Sequence, residues 1–226
     1  MNSNFLNLIK NIEGVSPVIP QHILNGRFFV FDFSKENPNL KFADIYNTPD
    51  FENYIEYTLV KNGATFGIGK YNEDRTIYQG NMYSGQHSRT VHLGVDIFLP
   101  ARTKISSPLN GKIHSFANNK NKGDYGPTII LEHSLQGQKF YTLYGHLSLR
   151  SLSDIYEGKI INAGDTIGEV GERFVNGGWP PHLHFQIIKD MQGKKGDFFG
   201  VASKKDTQSF LDMCPNPNLI LKIKGI

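Results

Sequence analysis

Apolar and polar residues alternate with a period of two through much of this chain, and that pattern is densest between Thr90 and Lys189. It predicts short strands near 91–98, 104–106, 111–116, 127–133, 139–145, 159–161, 166–171 and 182–188, because successive side chains on a strand face opposite sides. Turn-forming stretches separate them: Pro108 to Gly111, Asn118 to Gly126, Gln136-Gly137, and Asn162 to Asp165. Strands at this spacing without long intervening helices predict a mainly β protein, a compact and mostly antiparallel sheet. The first 80 residues read differently. Phe5, Leu8, Ile9 and Ile12 fall on one face of a short amphipathic helix. Thr48 and Pro49 open a second helix over 49–61, with Phe51, Ile55, Thr58 and Leu59 on one face and Asn62-Gly63 at its end. Val30–Phe33 reads as a strand, and Gly67–Tyr78 (GIGKYNEDRTIY) as a polar, turn-rich approach to the strands beyond Thr90. The expected organisation is an α/β N-terminal extension over 1–80 packed on a core domain over 81–190. A C-terminal appendage over 191–226 carries Lys204, Lys205 and the apolar Leu219–Ile223.

A length of 226 residues suits one substantial core. Lys and Arg (24) nearly balance Asp and Glu (21), and no basic run or RNA-stacking signature occurs, so nucleic acid is not an expected partner. Cys214 is the only cysteine, which excludes an intramolecular disulfide and a cysteine metal cluster. The N-terminus has no basic start with an apolar core, and no apolar run approaches the ~20 residues that span a bilayer. No transmembrane segment and a cytoplasmic location are the expectation, or the cell envelope had a leader been removed.

Two stretches concentrate metal-capable side chains. In HLGVD, His92 and Asp96 alternate with Val91, Leu93, Val95 and Ile97; in HLHF, His182 and His184 alternate with Leu183, Phe185 and Ile187. Each would bury an apolar face and present its polar groups on the other. Two such strands supply three ligands to a tetrahedral zinc and leave a fourth position open, as in catalytic sites. With His92, Asp96 and His184 on the metal, His182 stands beside it, and two neutral imidazoles with one carboxylate leave a net charge of +1 to acidify water. No run of carboxylates favours calcium or magnesium. In FYTLYGHLS, Phe140, Thr142, Tyr144 and His146 share parity, with Tyr141, Leu143 and Leu147 opposite, so His146 is a candidate general base or oxyanion partner.

From His92 to Ile188 the chain resembles the catalytic domain of lysostaphin/LytM-type zinc metallopeptidases, which cleave peptide bonds in bacterial peptidoglycan. The motifs that carry the resemblance are Arg89 with HLGVD, SSPLNGKI at Ser106–Ile113, YGPTIILEH at Tyr125–His133, YTLYGHLS at Tyr141–Ser148, NAGDTIGEVG at Asn162–Gly171, and PPHLHFQI at Pro180–Ile187. The resemblance implies zinc as cofactor, held by His92, Asp96 and His184, with His146 and His182 as the catalytic pair. It implies a zinc-dependent endopeptidase that hydrolyses a peptide or peptidoglycan through an activated water.

The sequence departs from the family's pattern in places. Gln186 stands where Glu is frequent, the turn before HLH is extended to Gly177-Gly-Trp-Pro-Pro181, and no loop tyrosine is evident apart from Tyr83. Trp179 reads as a packing residue or a wall of the groove. Asn72 and Asn81 are conceivable equivalents of the asparagine that closes the zinc in latent relatives, or ordinary turn residues. The flanks also resemble a branch in which this domain accompanies a kinase-like module and a class III aminotransferase; Glu73, Asp74 and Arg75 would then read a charged small molecule or form a solvated turn. Two alternative functions are an intracellular zinc hydrolase of a small peptide or amide and a non-catalytic binding module. His22, His87, His114 and His133 receive no functional role.

Overall fold

The computed structural model describes residues 2–41, 48–77 and 88–226. Asn81, Tyr83 and His87 lie outside the described residues. The chain opens with α1 (Asn2–Lys10), α2 (Gln21–Leu24), β1 (Phe28–Phe31), α3 (Thr48–Lys61) and β2 (Phe66–Gly69). Ten strands come next: β3 (Arg89–His92), β4 (Val95–Phe98), β5 (Lys104–Ser106), β6 (Gly111–Asn119), β7 (Gly126–Leu135), β8 (Gln138–Gly145), β9 (Ile160–Ile161), β10 (Thr166–Glu169), β11 (His182–Ile188) and β12 (Val201–Ser203). The chain closes with α4 (Thr207–Met213) and α5 (Asn218–Leu221). Among the described residues no helix is long and apolar enough to cross a membrane.

The fold is mainly β, as the alternation predicted. Eight strands form one sheet in the order β1-β2-β4-β11-β8-β7-β6-β9, and the pairs β3–β12 and β5–β10 form two small sheets. Among the described residues every pairing is antiparallel except β1 with β2. A parallel pair needs a crossover, and α3 supplies it. Its Phe51 and Ile55 pack with Phe31, Phe33 and Phe98 in one apolar cluster. The N-terminal strands therefore continue the same sheet that carries β4 and β11.

The sheet is covered on both faces. Beneath it, Phe185, Leu183, Val95, Ile97, Tyr144 and Ile129 join Phe5 and Ile9 of α1 and Ile220 of α5 in the largest core. On the opposite face Leu93, Ile130, Leu143 and Ile188 meet Tyr125, Phe198 and Ala202. These two layers decide what the strand positions of the site can see.

Three sequence expectations change. The strand expected over 91–98 is two strands, because at Leu93-Gly94 the chain leaves its partner β12 and enters the large sheet; Leu93 N–H donates to the Gly200 carbonyl at the switch. The polar face of these strands is not open to water, since β4 and β11 are buried at every position. Tyr144 does not share a face with His146: it lies in the main core, its hydroxyl bonded to Thr142, while Leu143 faces the other layer. The strand period ends at Gly145, and His146 takes a positive φ of 62°. The 201–203 strand and α4 carried no pattern strong enough to predict them.

Candidate metal centre

Antiparallel register does most of the assembly. On β11 and β4, His184 lies opposite Asp96 and His182 opposite Phe98. On β8 the partner of His184 is Gly145, where a side chain would strike the Tyr125 ring. His92 reaches the same point from the end of β3, across the break at Gly94. Candidate ligand atoms of His92, Asp96 and His184 all lie within 4.8 Å of one another. His92 Nε2 is 3.0 Å from His184 Nδ1 and 3.2 Å from Asp96 Oδ1, and His184 Nδ1 is 3.1 Å from the same oxygen.

The remaining ring nitrogens identify the protonation of this triangle. His92 Nδ1–H donates to the Lys70 carbonyl at 2.9 Å, and His184 Nε2–H donates to Gln186 Oε1 at 2.9 Å. Gln186 cannot turn its amide over without loss, because its Nε2 donates to the Phe199 carbonyl and to Cys214 Sγ. With these tautomers, assigned from the network, the three atoms that converge are bare lone pairs. Burial, and then the Arg75 charge, holds the His92 pKa down to about 4, so a proton does not fill the gap near neutral pH. Burial pushes the Asp96 carboxyl up, but the neighbouring His92 and Arg75 outweigh it and hold it well below the usual carboxylate range. Three acceptors that converge in this way could hold a metal ion.

The donor set fits zinc in size and chemistry. Nitrogen and carboxylate ligands about 2.0–2.1 Å from a tetrahedral ion lie roughly 3.3 Å from one another, and the triangle here has edges of 3.0 to 3.2 Å.

Two further imidazoles complete the site in the same manner. His146 Nδ1–H donates to the Asn176 carbonyl at 2.8 Å, and His182 Nδ1–H donates to the Pro180 carbonyl at 2.7 Å. Their rings are 4.1 Å apart, and His182 Nε2 lies 3.8 Å from Asp96 Oδ1. Burial depresses both, His146 further through its imidazole neighbours, so each offers a bare Nε2 to the site. The left-handed backbone of His146 is a strained geometry for a non-glycine residue. It is held by Tyr125 O accepting from its N–H and by Gly171 N–H donating to its carbonyl, both at 2.8 Å. All five predicted site residues are thus brought together, and each is 95% or more shielded from water.

Several contributors were not foreseen. Arg75 Nη1 donates to Asp96 Oδ2 at 2.6 Å and Nε donates to Glu73 Oε2 at 2.9 Å, with both side chains buried. The solvated-turn reading of Glu73 and Arg75 therefore fails: both side chains are buried, and Arg75 faces Asp96 and lines the cavity over the site. Asp74 alone stays at the surface, paired with Lys204 and Thr90. Tyr125 places its hydroxyl 3.4 Å from His184 Nε2 and its ring beside His146. Asn176 is fully buried and ties the Trp179 loop with Oδ1 and Nδ2. Asn72 is an exposed turn residue with φ 55° whose N–H donates to the His92 carbonyl at 2.8 Å. Trp179 does both things expected of it, packing beside the Phe31 cluster and lining the cavity. That cavity, about 660 Å³, opens over the five polar residues and is walled by Phe51, Phe98, Tyr125, Trp179, Phe199 and Arg89.

Residues 90–197 match the model of peptidase family M23, which is consistent with the lysostaphin/LytM resemblance that the motifs carry. Among solved structures, the chain is similar to the catalytic domain of the antimicrobial peptidase lysostaphin from Staphylococcus simulans. That likeness has 25% identity over 57% of this chain and 85% of that one, with a TM-score of 0.39. It is also similar to a zinc containing peptidase from Vibrio cholerae, at 24% identity over 43% and 27% of the two chains and a TM-score of 0.35. A third likeness is to the catalytic domain of the prophage-encoded M23 protein EnpA from Enterococcus faecalis, at 20% identity over 60% and 92% and a TM-score of 0.39. The chain spans 27% of the Vibrio cholerae protein and 53% of a putative peptidase M23 from Pseudomonas aeruginosa. The family match supports a hydrolase acting on peptide bonds.

Proposed function

We propose that this chain is a zinc-dependent metalloendopeptidase whose substrate is a peptide of the cell wall, peptidoglycan. His92 Nε2, Asp96 Oδ1 and His184 Nδ1 would hold the ion. The observation that carries the reading is their convergence within 4.8 Å, with His92 Nδ1 and His184 Nε2 hydrogen-bonded to the Lys70 carbonyl and Gln186 Oε1. Zinc, when bound, supplies Lewis acidity and lowers the pKa of water to about 7. His146 and His182 do the proton work. Each presents a bare Nε2, so one takes the proton of the attacking water and passes it to the leaving amine nitrogen, and the other accepts a hydrogen bond that orients that water. The Asn176 and Pro180 carbonyls hold both rings in the tautomer that leaves Nε2 free. Phe51, Phe98 and Trp179 form an apolar wall that keeps bulk water from the reacting carbonyl. In this reading residues 81–190 are the catalytic domain, with 1–80 and 191–226 packed against it.

The test incubates the zinc-loaded protein and its His184→Ala variant with purified peptidoglycan and analyses the released fragments by mass spectrometry. Zinc-dependent release with new peptide termini is the expected result. Zinc bound at one per chain with no release would sink the cell-wall assignment and favour a hydrolase of small peptides or amides. A purified protein that takes up no zinc would instead favour the non-catalytic binding module.

A further inference from the structure

We infer that the segment from Gly69 to Arg75, which precedes the family-matched residues, is a working part of the metal centre. Within it, Arg75 is a positioning residue that commits Asp96 to a single donor oxygen. The inference rests on the metal reading above and goes beyond it, since none of these residues falls within 90–197.

A carboxylate beside a divalent ion can donate one oxygen or both, and the choice changes the coordination number. Here Arg75 Nη1 occupies Asp96 Oδ2 at 2.6 Å, a charge-assisted contact, while Oδ1 faces the two imidazole nitrogens at 3.1 and 3.2 Å. Arg75 is itself fixed. Nε bonds Glu73 Oε2 at 2.9 Å, Nη2 bonds the Lys70 carbonyl at 3.2 Å, and the guanidinium lies 5.2 Å over the Phe33 ring. Glu73 is anchored in turn by the Phe33 N–H and the Lys70 ammonium, each 3.1 Å away. The same Lys70 carbonyl accepts from His92 Nδ1, so one peptide unit orients one ligand directly and another through Arg75.

A second observation comes from a missing side chain. Gly69 pairs with Asp96 across β2 and β4, and a Cβ there would sit 2.7 Å from Arg75 Nη2 and 3.2 Å from Asp96 Oδ2. The strand gives up its side chain at the one place where the guanidinium must reach the carboxylate.

A stitching role, in which the ion pair merely ties β2 to β4, would account for the burial alone. Two other properties separate the roles. Loss of a positive charge close to the site tightens cation binding if charge is all that matters, whereas loss of a positioning fork loosens it. A change in Asp96 denticity also alters the visible spectrum of a bound cobalt(II) ion.

The experiment uses the full chain as wild type, Arg75→Ala, Arg75→Lys and Glu73→Gln. Thermal unfolding of each metal-free protein is measured first. Zinc affinity is then read by competition with a chromogenic chelator, and the cobalt(II) spectrum is recorded. Arg75→Ala and Arg75→Lys are expected to lose about 10- to 100-fold in zinc affinity, with weaker cobalt bands as Oδ2 joins the metal. Glu73→Gln should fall between them and the wild type with the same spectral trend. Should Arg75→Ala fail to fold, the lysine and Glu73 variants carry the decision. Tighter zinc in Arg75→Ala with no change in Arg75→Lys would overturn the inference, and so would lower thermal stability with affinity and spectrum unchanged; in both cases the metal site itself stands. Wild-type protein that binds neither ion would overturn the metal reading and this inference together.

Discussion

Gly94 sits at the break between β3 and β4, and replacing it with alanine tests whether the donor triangle is as rigid as its contacts imply. Its φ is not in the left-handed region, so alanine adds only a methyl group and no backbone strain. That methyl would lie 2.4 Å from His184 Cε1, 2.6 Å from its Nε2 and 2.9 Å from the Phe185 carbonyl oxygen. Ordinary contact begins near 3.4 Å, so the ring must retreat by about 1 Å. It has no free direction, because Nε2 is bonded to Gln186 and the Tyr125 ring packs 5.0 Å from its centroid. Metal sites tolerate ligand displacements of about 0.2 Å, and a shift several times larger should cost at least ~100-fold in zinc affinity, about 2.7 kcal/mol. Overpacking adds about 1–3 kcal/mol of lost fold stability, or roughly 2–12 °C in Tm for a chain of this size. Chelator competition reads the first effect and thermal unfolding of the metal-free protein the second. Gly137→Ala is the control: with φ 80° and open space around it, it should lower stability and leave zinc affinity alone. Zinc binding by the Gly94 variant within threefold of wild type would refute a rigid, preformed triangle.

The same geometry sets further outcomes. His184→Ala should abolish zinc binding and turnover together, while His146→Ala should retain zinc and lose about 10²–10⁴-fold in turnover; unchanged turnover would remove His146 from the mechanism. Gln186→Leu deprives His184 Nε2–H of its acceptor and should weaken zinc by about 10- to 100-fold, whereas Gln186→Glu makes the ligand more basic and should tighten it. Equal affinities would show that the tautomer of His184 is set elsewhere. His133, buried between the Asn110 carbonyl and Thr142, has its pKa pulled down by burial to about 4 from 6.5. Its native form stays neutral while the unfolded form gains a proton, so the stability it permits is complete above 6.5 and is lost as pH falls toward 4. The loss amounts to roughly 3 kcal/mol. His133→Gln should flatten that part of the stability–pH curve, and an unaltered slope in denaturant titrations would contradict the assignment.

The parts of this site legible in the sequence are those that strand periodicity controls. His182, His184, Asp96 and their apolar neighbours sit where a period of two places them, and register then brings Asp96 opposite His184. His92 and His146 reach the site by departures from that period, one across a sheet switch at Leu93-Gly94 and one through a positive φ. Strand parity therefore put Tyr144 beside His146, although its phenol is sunk in the core. Local sequence cannot show such a reversal, because it is made by contacts to Tyr125 and Gly171. Arg75 and Glu73 carried a faint signal, an acid and a base two apart in an extended stretch, and hence on one side of it. Polar composition around them argued for a surface turn, and only the sheet order β1-β2-β4 shows that this turn lies against Asp96.

The acceptors chosen for the four imidazoles give the centre its electrostatic character. Three are main-chain carbonyls, of Lys70, Asn176 and Pro180, and the fourth is the Gln186 amide. Neutral acceptors fix a tautomer without adding negative charge, so the rings stay neutral and their lone pairs remain available. The charges that are present cancel in alternation: Asp96 faces Arg75, Arg75 faces Glu73, and Glu73 faces Lys70. The +1 expected from two imidazoles and one carboxylate therefore understates the field, because a divalent ion held by this shell would retain close to its full charge. Low net ligand charge favours polarisation of a bound carbonyl. The outer residues at 70, 73 and 75 thus bias the centre toward Lewis acidity, and they do so from a segment that the motifs of the catalytic stretch do not include.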